Sequence, residues 1–247
     1  MDEITRSRLS RRIFLKQVAA SSGALAVGAG TVVSPATAAD APTASPAPAP
    51  DAPPAGYQSL SPEEAAFVEA LVNVMCPADN LTPNGVDCGL ADYIDRQLAG
   101  AFGRGDRLYR QAPWRSGKPQ LGYQLPLTPE QFFKTGVATA QAACTARFNK
   151  RFQDLPPADA DAFLLEVAAG KVDDARVPLA QWFNELVYPL FTQACFADPM
   201  YGGNRGKVFW KLIGYPGLPA FHTKDMVEFR GKPFPGAADP KSIQDFS

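Results

Sequence analysis

Apolar side chains return every three or four residues over long stretches of this chain, and no convincing strand-like alternation appears. The longest stripe is Phe133, Val137, Ala140, Cys144, Phe148 and Phe152. It keeps the period of an α-helix through about twenty residues. Thr128-Pro129-Glu130-Gln131 stands before it and offers a capping box with a first-turn proline. Ser61-Pro62-Glu63-Glu64 does the same for an earlier helix carrying Phe67, Leu71, Val74 and Met75, which Pro77 ends. Further helices are expected over Leu90–Phe102 (with Leu90, Ile94, Leu98 and Ala101 on one face), Ala158–Ala169 (with Phe163, Leu164 and Val167 buried), Leu179–Cys195 (with Trp182, Leu186, Leu190 and Phe191 inward) and Lys207–Ile213. Pro189 is expected to kink the long one, because it lacks the N–H and its ring crowds the preceding turn.

Between these helices the chain is rich in turn formers. Residues 106–127 place Tyr109, Trp114 and Tyr123 among prolines and glycines and predict an irregular excursion. From Gly214 onward, Pro and Gly dominate and predict an extended arm over the surface. The expectation is a mainly α protein: a single helical domain over residues 58–247, with long ordered loops and an extended C-terminal arm. Loops of that length in a compact domain point to a function.

The first 57 residues read differently. SRRIFLK, Ser10 to Lys16, puts the pair Arg11-Arg12 ahead of Phe14 and Leu15, inside a basic segment that also holds Arg6 and Arg8. A run rich in Ala and Gly follows, Val18 to Val33, and ends in the small-x-small pattern Ala36-Thr37-Ala38. This is the anatomy of a cleaved export signal of the twin-Arg type, residues 1–38. An uncleaved anchor is the alternative, and the glycine-broken run is a poor match to a bilayer core that needs about 20 apolar residues. Residues 39–57 are mostly Ala and Pro and form a tether with polyproline character.

Charge and cysteines narrow the possibilities. Residues 1–38 hold five of the 24 Lys+Arg and two of the 25 Asp+Glu, which leaves 19 basic and 23 acidic residues and a formal charge near −4. That balance argues against a nucleic-acid partner. Cys76, Cys88, Cys144 and Cys195 would meet an oxidising compartment after export. Cys76 and Cys88 flank a loop with Pro77, Pro83 and Gly85, so a local bridge is compatible with the spacing, and Cys144 and Cys195 would then pair by elimination. Buried thiols are the alternative reading.

Proteins that leave by the twin-Arg route are folded first, commonly around a cofactor, yet no cofactor motif is legible. There is one histidine, His222, no C-x-x-C and no G-x-S-x-G. Gly202-Gly203-Asn204-Arg205-Gly206 is glycine-rich, but it follows a helix rather than a strand. Asp173-Asp174 reads as a solvated turn, and Asp92 and Asp95 beside Arg96 as the polar face of the second helix. A self-sufficient exported enzyme would have to use Asp79, Asp87 or His222, and a periplasmic binding module would need a pocket.

Three segments point elsewhere. They are MCPADNLTPNGVDCGLADYIDRQLAGAFGRGDRLYRQAPW (Met75 to Trp114), YPLFTQACFADPMYGGNRGKVFWKLIGYPG (Tyr188 to Gly217) and SIQDFS (Ser242 to Ser247). Together they resemble the small (gamma) subunit of membrane-bound, flavin-dependent gluconate 2-dehydrogenases, the subunit 3 family. The resemblance implies a non-catalytic partner in a three-part periplasmic complex, membrane-associated through its partners. In such a complex an FAD-bearing large subunit oxidises the sugar acid and a haem c cytochrome subunit passes electrons to quinone. The small subunit takes the large one to the twin-Arg translocase and across, so no cofactor is expected in this chain. The Asp198, Pro199, Met200, Tyr201, Gly202, Gly203, Asn204 segment points to the gluconate type among related sugar and sugar-acid dehydrogenases. Physically, Gly202, Gly203 and Gly206 could let another surface approach, and Tyr201, Trp210 and Tyr215 could anchor it. The alternative is that these residues pack the chain's own loops.

Overall fold

Ser61 starts the first helix as its sequence leads one to expect. In the computed structural model, which describes residues 56–111, 117–118, 121–172, 177–219 and 221–246, the Ser61 hydroxyl accepts from the Glu64 N–H, and the Glu64 carboxylate accepts from the Ser61 N–H. The export signal, with Arg11, Arg12, Phe14 and Leu15, lies outside the described residues. So do the tether up to residue 55, Trp114, Asp173 and Asp174.

Helix α1 (Pro62–Met75) buries Ala65, Phe67, Val68, Leu71 and Val72. A loop leads to α2 (Leu90–Ala99) and, across Gly100, to the one-turn α3 (Ala101–Arg104). The predicted Leu90–Phe102 helix is thus broken at Gly100. Helix α4 (Pro129–Phe148) carries the second capping box, with the Gln131 N–H donating to the Thr128 hydroxyl and the Thr128 N–H to the Gln131 side chain. It ends earlier than its apolar stripe, because Asn149 turns left-handed at φ 52°. Phe152 then folds back in a 3-10 turn and still reaches the core, 4.7 Å from the Phe67 ring. Helix α5 (Pro157–Ala168) buries Ala160, Phe163, Leu164 and Val167.

The stretch predicted as one kinked helix is three pieces: α6 (Leu179–Trp182), a π-helical turn (Phe183–Val187) and α7 (Tyr188–Phe196). Pro189 explains this. In an unbroken α-helix its ring would press on the carbonyl four residues back. The wider turn shifts the bonding to i→i−5, with the Tyr188 N–H donating to Phe183 O, and seats Pro189 in a new first turn. Helix α8 (Val208–Ile213) follows. The arm is less extended than its composition predicts. It forms a short helix α9 (Thr223–Glu228) and closes on itself through a bridge between Gly217 and Lys241. No strand occurs among the described residues, so the protein is helical, with one compact unit over Gly56–Ser247.

The core is centred on Trp182, which is fully buried. Its indole lies against α4 at Gly136, where a Cβ would sit 2.1 Å from the indole nitrogen, and it donates to Phe133 O at 3.1 Å. Phe67, Phe133 and Phe183 surround it with ring centroids 6.1–6.5 Å away.

Asp95 corrects the reading of α2's polar face. It is 2% exposed, and its carboxylate accepts the backbone N–H groups of Gln58, Ser59 and Leu60 at 2.7, 2.8 and 2.9 Å. A buried carboxylate is tolerable only when its lone pairs are filled, and three consecutive N–H groups fill them. Lys134 donates to Ser59 O, Ser59 donates to Glu130, and Tyr57 donates to Glu69, each at 2.7 Å. The residues that follow the tether are therefore tied to α1, α2 and α4 at once. Asp95→Asn removes the charge and turns an amide against three donors. It should lower unfolding free energy by about 2–4 kcal/mol, read from a urea melt of the described body.

Candidate partner interface

Asp198 begins a loop that gathers two of the sequence's most distinctive segments. One carboxylate oxygen accepts the Met200 N–H at 3.0 Å and caps the 3-10 turn Pro199–Tyr201. The other accepts the Ile243 N–H at 2.9 Å, which ties the C-terminal SIQDFS segment to the loop. Asp245, in that segment, accepts from Lys207 and from the Ser242 N–H, and Ser242 is buried. Lys207 first, and the Ser242 amide second, hold the Asp245 carboxyl down at about 2.

Asn204 is fully buried and left-handed, at φ 47°. Its amide donates to Ala197 O at 3.2 Å, and its carbonyl accepts the Phe209 N–H at 3.0 Å. Arg205 reaches the other way. Its N–H donates to Cys88 O at 3.0 Å, and its guanidinium donates to Asp92 at 2.7 Å. Asp92, read from sequence as part of a polar helix face, is thus a docking post for this loop.

The glycines serve the same internal closure. A Cβ on Gly203 would stand 2.4 Å from Ala194 O, and one on Gly89 would stand 2.1 Å from Gly202 O. Gly202 itself is left-handed at φ 102°, beside the Arg96 side chain. The backbone that glycine lets approach is the chain's own. Trp210 is likewise 5% exposed, donates its indole N–H to Phe196 O at 2.8 Å, and packs edge-on to Tyr215 at 5.0 Å.

Of the candidate interface residues, then, Asp198, Gly202, Gly203, Asn204 and Trp210 build the loop and its floor. Tyr201 and Tyr215 stand out of it, 48% and 44% exposed. Met200, Ile213, Ile243 and Phe246 are exposed apolar neighbours in the same segments, and the sequence did not mark them as anchors. Their signal was apolar residues in Gly- and Pro-rich chain, which composition alone marks as loop.

The other candidate chemistry is absorbed locally. Asp79 accepts the Leu81 and Thr82 N–H groups at 2.8 and 3.0 Å, and Asp87 accepts from the Asn84 amide at 2.8 Å, so both build turns. His222 faces Asp225 at 2.8 Å and Gly217 O at 3.3 Å, and the Asp225 contact raises its pKa most. Among the described residues no group of three His, Cys, Asp or Glu is placed to hold a metal. Neither the Cys76–Cys88 bridge nor the Cys144–Cys195 bridge compatible with the sequence is formed among the described residues. Cys144 instead faces Lys150 O at 3.6 Å, within the turn that ends its own helix.

Asp245 makes the clasp sensitive to acid. Its folded pKa lies below the ordinary 3.8, so its contribution is complete above about pH 4 and is lost as pH falls through about 2. Amide exchange at Ser242, whose N–H the carboxylate accepts, should accelerate across that window, and Asp245→Asn should leave Ser242 fast-exchanging at every pH. Unchanged protection in the variant would show that Lys207 and Ser242 do not depend on this carboxylate.

Comparison with known proteins yields one family and no closer relative: no curated protein and no solved structure matches the chain. The family model for gluconate 2-dehydrogenase subunit 3 matches residues 62–217, from the first residue of α1 to the Gly217 bridge. With that match covering most of the chain, and with the loop it encloses built as described, this protein belongs to the gluconate 2-dehydrogenase subunit 3 family.

Proposed function

We propose that this chain is the non-catalytic small subunit of a periplasmic, membrane-associated, flavin-dependent dehydrogenase acting on gluconate or a related sugar acid. Its task is to help the FAD-bearing large subunit mature and to carry it through the twin-Arg translocase, while a haem c cytochrome subunit takes the electrons. Family membership in a multi-subunit dehydrogenase is the observation that carries the reading. The side-chain chemistry supports it. Asp79, Asp87 and His222, the groups a self-sufficient enzyme would use, are each engaged in shaping a turn or holding the arm. Among the described residues no helix is long and apolar enough to cross a membrane. In this reading the chain associates with the membrane through its partners.

In this reading the Asp198–Tyr215 segment and the C-terminal residues clasped to it meet the large subunit. Tyr201 and Tyr215 are the anchors, since half-exposed aromatics on a rigid backbone lose little freedom when a partner covers them. Tyr201→Ala with Tyr215→Ala should leave the melting temperature of the chain within a few degrees. Retention of the large subunit should weaken about tenfold or more, ~1.4 kcal/mol, in a quantitative co-purification. A second experiment addresses export. Replacing Arg11 and Arg12 by Lys should leave both this chain and the flavoprotein in the cytoplasm, with gluconate-dependent dye reduction lost from the membrane fraction. Normal arrival of the flavoprotein would overturn the escort role.

A further inference from the structure

Cys76 and Cys88 stand at the two ends of one loop. Cys76 directly follows α1, and Cys88 precedes Gly89, from which α2 starts. Both are buried, at 2% and 1% exposure. Both sulfurs face the same acceptor: the carbonyl of Pro83 lies 3.7 Å from Cys76 Sγ and 3.6 Å from Cys88 Sγ. Two sulfurs on one oxygen are at most about 7 Å apart, a gap that side-chain rotation can close when the Cα atoms sit at disulfide spacing.

The backbone around them is already drawn together. The Val86 N–H donates to the Asn73 side chain at 3.0 Å, which lays the far half of the loop on the last turn of α1. The Cys88 N–H donates to Asn84 O and the Leu90 N–H to Gly85 O, both at 3.0 Å. The near side of the loop, Pro77 to Leu81, is exposed. Cys144 offers a contrast: it is buried in α4, faces Lys150 O, and burial pushes its thiol up to about 11.

We infer that Cys76 and Cys88 form a dithiol that closes to a disulfide once the folded chain meets an oxidising compartment. The oxidant is a disulfide of that compartment, RSSR. One cysteine gives up its proton and attacks RSSR, forming a mixed disulfide and releasing one RSH. The second cysteine then gives up its proton, displaces the remaining RS group and forms the Cys76–Cys88 bond. Two thiols are oxidised, RSSR is reduced to two RSH, and two protons move with the two electrons.

The bond has a structural consequence. The Cys88 carbonyl accepts the Arg205 N–H, and Gly89 lies under Gly202, so the staple fixes the floor on which the proposed partner-facing loop rests. Arrival of the oxidant rests on the export proposed above, whereas the pairing does not, and the two are tested apart.

The full chain, purified reduced, is incubated with oxidised glutathione, then unfolded and alkylated for peptide mass mapping. The expected product has lost about 2 Da, carries a peptide linking Cys76 to Cys88, and is alkylated at Cys144. Its melting temperature is raised by roughly 5–10 °C, a gain absent in Cys88→Ser. Full alkylation of Cys76 and Cys88, or linkage of either to Cys144 or Cys195, overturns the pairing. The same mapping on protein recovered from the periplasm should show the linked peptide, and the variant retained in the cytoplasm should not. A pair that closes with glutathione but is open in the periplasmic protein overturns the compartmental trigger and leaves the pairing standing.

Discussion

The contact between Trp182 and Gly136 governs the helical body. The absent side chain on α4 lets an indole lie directly on helix backbone, and the indole N–H finds the Phe133 carbonyl there. Phe67 from α1 and Phe183 from the π-helical turn pack around that ring. Phe152 bridges Phe67 to Phe163 of α5, so three helices meet through one aromatic chain of contacts. The π-helical turn follows from the same arrangement. Trp182 must point inward while Pro189 opens a new helix seven residues later, and the widened turn satisfies both.

Around this core, the long loops are held by polar groups that each close a gap between distant parts of the chain. Asp95 gathers the residues after the tether, Asp198 and Asp245 gather the C-terminus, and Asn204 and Arg205 tie the glycine-rich loop to α2 and α7. The buried ones, Asp95 and Asn204, are costly unless filled, and their partners are present here. The result is an ordered surface with little secondary structure, on which Tyr201, Tyr215, Ile243 and Phe246 stand exposed. A rigid apolar surface of that kind suits a subunit whose work is to be bound by another.

Much of the helical layout was legible from periodicity and caps. Both capping boxes form, and the stripes of α1 and α4 face the core, because these signals are local and need nothing from the rest of the fold. What was not legible depended on distant partners. Asp95 looked like any helix-face carboxylate, and only the approach of residues 58–60, some 35 positions away, makes it buried. The glycines at 202 and 203 suited an outside surface or the chain's own loops, and the structure places Arg96 and Ala194 of the same chain against them. The arm's short helix and its closure at Gly217 and Lys241 were hidden by a composition dominated by turn formers.

The central claim is that this chain works by holding a catalytic partner. The direct measurement is purification of the intact chain from its native membranes in mild detergent, with absorbance spectra and gluconate-dependent dye reduction recorded on the eluate. The account predicts a large second protein in the eluate, bound flavin, haem absorbance and turnover of a sugar acid. A lone, colourless, monodisperse chain would contradict it, and dye reduction by that lone chain would return the chemistry to Asp79, Asp87 and His222.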